Sequence, residues 1–282
     1  MKLSEMHKLA DETLDLFLQT MPNPPFVASD IVFSFARKSE MASRAQELCS
    51  LYCPEKILND SQLLDVGESV AANAFIGRKK SAVLVRIINK INERDFRRII
   101  AHELAHIYCG LKEVKVAEGH FIDTFGSGTT YDVSQEDMEY DGFLVSGYEV
   151  WSEFIAQYYA IKLIDTKPYL FVRAVDYISK FMRDVTVDEL HLSKSSFSML
   201  LASWFNCSDF NEIYGYLSEP GTFMRADELY GLETQKALHG CVEHIHNQMQ
   251  MDEPYIINEE FIYELSFKFN FFRIVNSYYL GS

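Results

Sequence analysis

The sequence predicts an α+β fold: a small sheet and a motif-bearing helix, followed by a mainly helical C-terminal part. Three observations predict it. Runs rich in Val, Ile and Phe at residues 31–35 and 81–88 read as strands. The segments around them repeat apolar residues at helical spacing. Strand-like patterning then stops near residue 165, which sets an expected boundary between residues 1–165 and 166–282. With 48% hydrophobic and 14% aromatic residues among 282, the chain can bury a core, which excludes a disordered one.

Residues 4–20 predict an amphipathic helix through Met6, Leu9, Leu14, Leu16 and Phe17, ended by Pro22, Pro24 and Pro25. After the strand at 31–35 a helix runs to about Tyr52, stopped near Pro54. Residues 69–76 and 81–89 predict two strands, with Gly77, Arg78, Lys79 and Lys80 as a hairpin turn. Asn92, Glu93 and Asp95 then supply the cap and acidic first turn of a helix that Gly110 can stop.

That helix carries His102, Glu103, Leu104, Ala105 and His106, an HExxH sequence. From Ile99 to Tyr108 its only polar groups are His102, Glu103, His106 and the Tyr108 hydroxyl. Buried His and Glu need partners, and a metal ion supplies one. Two histidines four residues apart project from one helical face and can hold one ion together. Glu103 beside them is placed to act as general base on a metal-activated water.

A catalytic zinc site takes three protein ligands and leaves a position open. The continuation HExxHxxGxxH is excluded, because Cys109 and Lys112 stand at its Gly and His positions. A thermolysin-like short spacing calls for an acid near Phe125, and the nearest is Asp123. A second helix, read over residues 147–160, offers Glu153 with Ala156 and Ala160 on one stripe. Its small residues suit close approach to Ala101 and Ala105. Glu153 is the expected third ligand. Glu149, one turn earlier, is expected to orient a ligand His, or to be the ligand if the pair is reversed.

HELAH followed by a distal E-x-x-A-x-x-Y-A (Glu153, Ala156, Tyr159, Ala160) resembles the gluzincin branch of the zincin metallopeptidases, with the small bacterial ImmA/IrrE-like peptidases as possible near relatives. The resemblance covers roughly residues 70–165 and is specific at His102, Glu103, His106 and Glu153. It implies a zincin core, Zn²⁺ as cofactor and a peptide or protein substrate. The strand at 81–88, directly before the motif helix, is where an extended substrate would pair. The wide gap from His106 to Glu153 departs from the thermolysin pattern.

The connection read over 111–147 holds Gly119, Gly126, Gly128, Gly142 and Gly147, and reads either as a lid over the site or as a disordered excursion. Its acids do not have EF-hand spacing. His120, Tyr131, Tyr140 and Tyr148 compete for oxyanion stabilisation with one of His239, His244 and His246; with Cys241, these three read first as ordinary helix residues. Beyond 165 helices are expected at 168–184, 194–206, 208–217, 225–250 and 258–278, the last opened by Asn258, and they offer a protein-interaction surface.

Charge excludes some partners. Residues 1–110 balance 14 basic against 14 acidic side chains, whereas 111–282 hold 12 against 27, which accounts for the whole net charge of −15. Such a surface repels phosphates and argues against nucleic acid. No apolar run reaches bilayer length, and no signal core follows Met1, so no membrane association and a cytoplasmic setting are expected. Five scattered cysteines (Cys49, Cys53, Cys109, Cys207, Cys241) fit reduced thiols. Two rival readings stand beside the metallopeptidase: a catalytically inactive zincin-derived binding or regulatory protein, and a non-metal helical adaptor. An intact Glu103 weighs against the first.

Overall fold

A computed structural model describes residues 1–54, 58–68, 71–77, 79–112, 135–164, 194–207 and 229–281. Two compact units emerge. One takes in the described residues up to 112 together with 159–164; the other takes in 135–158, 194–207 and 229–281.

In the first unit, α1 (Leu3–Thr20) buries Met6, Leu9, Ala10, Thr13, Leu14 and Phe17. Leu16 was expected on that stripe but is exposed, because the helical turn angle rotates it off the Met6–Phe17 face. β1 (Ile31–Ala36) leads to α2 (Met41–Tyr52), and α3 (Asp60–Glu68) follows it. α3 was not anticipated: its mixed apolar and acidic residues had no clear period. β2 (Ala72–Phe75) and β3 (Ser81–Arg86) form the expected antiparallel hairpin. Within the expected turn, Arg78 lies outside the described residues.

The sheet order is β1-β3-β2, with β1 parallel to β3 and in register from Ile31–Ser81 to Ala36–Arg86. Being central, β3 is buried from Ser81 to Val85 without alternation. Its two faces serve different layers. Ala82 and Leu84, with Ala36 and Phe75, join Met41, Ala45, Leu48 and Cys49 of α2. The opposite face meets α1 and α4 (Glu93–Leu111): Phe35 stacks on Phe96 at 6.4 Å and meets His7 edge-on at 4.4 Å.

One expectation fails here. β3 cannot receive a substrate strand, because β1 and β2 occupy its two edges. The strand next in sequence to the motif helix is thus the most enclosed one.

The second unit is helical. α5 (Gln135–Ile164) contributes its residues up to Tyr158, with α6 (Lys194–Cys207), α7 (Leu229–Met249) and α8 (Glu259–Gly281). α5 begins well before residue 147, so the expected 111–147 connection is a helix over its last part. The remainder of that connection lies outside the described residues, as do the expected helices 168–184 and 208–217. Gly147 is therefore an interior helical residue, and its reason is packing: a Cβ there would strike the Ile262 carbonyl of α8. Trp151 meets Phe261 edge-on at 4.9 Å, and Ser198 Oγ donates to the Val150 carbonyl at 2.7 Å. Asn258 caps α8 as expected, accepting from the Phe261 N–H at 2.8 Å.

Candidate active site

α4 starts where capping chemistry places it: Asn92 Oδ1 accepts from the Asp95 N–H at 2.8 Å. The helix then runs to Leu111, one residue past Gly110, with Phe96, Ile100, Ala101, Leu104, Ala105, Ile107 and Tyr108 buried. This apolar face fixes the rotation of the helix, and with it the direction of His102 and His106. Both histidines are half-buried.

Their Nε2 atoms lie 3.0 Å apart, with ring planes at 87°. Two imidazole nitrogens sharing one tetrahedral Zn²⁺ lie about 3.3 Å apart, given bonds of about 2.05 Å. The pair therefore fits a zinc ion with little adjustment. Glu153, half-buried on α5, completes the donor set: ligand atoms of His102, His106 and Glu153 all lie within 4.8 Å of one another. Among the described residues this is the one group of three or more such side chains. Two neutral imidazoles and one carboxylate suit zinc and would leave the site with a net charge near +1.

Glu103 has only 7% exposure and is, among the described residues, the one buried Asp, Glu, Lys or Arg. Burying a carboxylate is costly, and such groups concentrate at functional sites. Glu149 is half-buried one turn before Glu153 and is not part of the three-residue group.

The other expected residues are dispersed. His120 and Tyr131 lie outside the described residues, as does the Tyr140 side chain, and Tyr148 is half-buried on α5. His244 is engaged structurally: its Nε2 lies 3.0 Å from the Phe261 carbonyl, and its ring stacks on Phe261 at 4.6 Å. Burial lowers its pKa, the Phe261 carbonyl and Glu264 opposing, and burial likewise lowers that of His246. Cys49, Cys53, Cys109 and Cys241 form no disulfide. Desolvation pushes the Cys109 and Cys241 thiols up to about 12, so both stay protonated. No helix among the described residues is long and apolar enough to cross a membrane.

Sequence reasoning passed over two residues that hold the motif helix, Arg97 and Tyr108. The signal available was the Tyr108 hydroxyl, a polar group on an otherwise apolar face.

The profile of peptidase family M48 matches residues 37–191, more than half of the chain. No curated protein and no solved structure matches it significantly. The family match and the His-His-Glu group together displace the non-metal adaptor and the inactive binding protein. The chain belongs to peptidase family M48: it is a zinc metallopeptidase, a hydrolase acting on peptide bonds in a protein substrate.

Proposed function

We propose that His102, His106 and Glu153 are the zinc ligands and that Glu103 is the general base. The observation that carries this reading is the convergence of those three ligand atoms within 4.8 Å. Bound zinc lowers the pKa of a water molecule toward neutrality and polarises the scissile carbonyl. Glu103, next to His102 on the same helix, takes the proton of the attacking water and delivers it to the leaving amine. Its place beside His102, on the same buried stretch of the motif helix, supports this role. Glu149 is assigned the neighbouring position, orienting a ligand histidine.

The substrate enters as an extended strand. β2 is a better partner for it than β3: it packs against α4, and among the described residues no strand pairs with its outer side. We assign residues 1–165 to the catalytic region and 166–282 to a helical region that contacts a protein partner. The odd, scattered set of cysteines supports a cytoplasmic setting, and the acidic C-terminal part argues against a nucleic-acid partner. Cleavage of a protein regulator, as in ImmA/IrrE-like peptidases, is a role that the resemblance of HELAH and the distal E-x-x-A-x-x-Y-A leaves open.

The test is zinc content and casein hydrolysis in Glu103→Gln, Glu153→Ala and Glu149→Ala. Glu103→Gln keeps its zinc and loses about 10²- to 10⁴-fold in rate; retained zinc with unchanged rate removes its assigned role. Glu153→Ala loses zinc. Zinc loss confined to Glu149→Ala would reverse the ligand choice.

A further inference from the structure

The motif helix is gripped on both sides of HExxH by α1 and the turn after it, which lie outside the family-matched residues 37–191. Before the motif, the Arg97 guanidinium donates to Glu12 of α1 and reaches Thr13 Oγ1 at 3.5 Å. Its Nε donates to Glu93 at 2.9 Å, which holds the fork in place. After the motif, the Tyr108 hydroxyl donates to the Pro22 carbonyl at 2.9 Å. Lys112 Nζ donates to the same oxygen at 3.2 Å and lies 4.9 Å from the Tyr108 ring centre. The chain turns directly beyond, at Asn23, with φ at 46°. Asn tolerates this left-handed conformation better than most residues.

Tyr108 is also an aromatic junction. Phe17 of α1 meets its ring edge-on at 6.0 Å, and Phe17 in turn stacks on Phe26 at 6.2 Å. Tyr159, on the helix that carries Glu153, meets it edge-on at 6.1 Å. Arg97 and Tyr108 stand about 16 Å apart along the helix axis and bracket His102, Glu103 and His106. A helix pinned at two such points, one on α1 and one on the turn after it, resists both sliding and rolling. Either motion would swing both imidazoles away from a shared ion.

We propose that α1 and the turn at Pro22 are a splint for the HExxH helix, with Arg97 and Tyr108 as positioning residues for the zinc site. The proposal rests on His102 and His106 being ligands. It assigns a zinc-site function to a segment beyond the family-matched region.

The test uses the full chain, with zinc affinity from chelator competition and the visible spectrum of the Co²⁺-loaded protein. Tyr108→Phe keeps the ring and removes one hydroxyl. With unchanged far-UV circular dichroism, zinc affinity falls about three- to tenfold, less than the 10–100-fold typical of a direct partner of a ligand. The cobalt bands change intensity, reporting altered ligand geometry. Glu12→Gln lies at the surface and shifts both readouts in the same direction, and the double variant shifts them furthest. Wild-type zinc affinity and cobalt spectra in all three variants, whatever their thermal stability, would overturn the splint. His102→Ala separates the two claims: if it binds zinc like the wild type, the ligand assignment fails, and the splint with it.

Discussion

Replacing Gly147 by Ala and Gly240 by Ala should shift stability in opposite directions, although both glycines lie within long helices of the same unit. Helix propensity favours Ala over Gly by about 1 kcal/mol at either position. At Gly240 a new Cβ meets nothing within 4 Å, so that gain stands and Gly240→Ala stabilises by about 0.5–1 kcal/mol. At Gly147 the Cβ would overlap the Ile262 carbonyl oxygen and come within 3.0 Å of both Ile262 Cγ2 and Ser266 Cβ. A backbone oxygen cannot rotate away, so α5 and α8 must separate. Overpacking of this kind costs about 1–3 kcal/mol, occasionally more. Separation also loosens the Trp151–Phe261 contact one turn on. The net for Gly147→Ala is a loss of up to about 2 kcal/mol, which places the two variants about 1–3 kcal/mol apart. Urea unfolding followed by tryptophan fluorescence reads this difference, since Trp151 is buried beside Gly147. A Gly147→Ala variant as stable as Gly240→Ala would refute the reasoning, because close helix approach would then not explain the glycine.

Two further predictions concern α4. Hydrogen bonding from Arg97 holds the Glu12 carboxyl below its ordinary value of 4.5, so its contribution to stability is complete above that value and disappears as pH falls through the folded-state pKa. The stability gap between wild type and Glu12→Gln should therefore be constant from neutral pH down to about 5.5 and close in more acidic solution; a flat gap throughout would contradict the ion pair. Asn92→Ala removes the acceptor for the Asp95 N–H and should cost about 1 kcal/mol. Asn92→Asp keeps an acceptor but loses the Asn92 Nδ2 bond to Asp95 Oδ2, at 2.7 Å, and should fall between the two in thermal melts.

Features set by neighbouring residues were legible from sequence. Val- and Ile-rich composition and turn chemistry marked β2 and β3 as a hairpin, because cross-strand pairing there spans only a few residues. Asn92 and Asn258 marked their helix starts, because a cap bonds within one turn. The start of α5 was missed because its first residues mix acids, Gly and apolar side chains without one amphipathic stripe. Gly147 was read as the junction of the 111–147 connection with the helix for the same local reason.

The sequence by itself marked an HExxH motif in an otherwise apolar stretch of helix, a candidate distal carboxylate at Glu153, and a strand before the motif. These follow from residue type and helical period, which act over a few residues. Only the tertiary structure decided that β3 is the enclosed central strand, since strand order depends on contacts far apart in the chain. The same holds for the grip of Glu12 and Pro22 on Arg97 and Tyr108, across 85 and 86 residues. No local pattern encodes such pairings; they exist because burying the apolar faces of α1 and α4 against one sheet brings the polar ends of those side chains together.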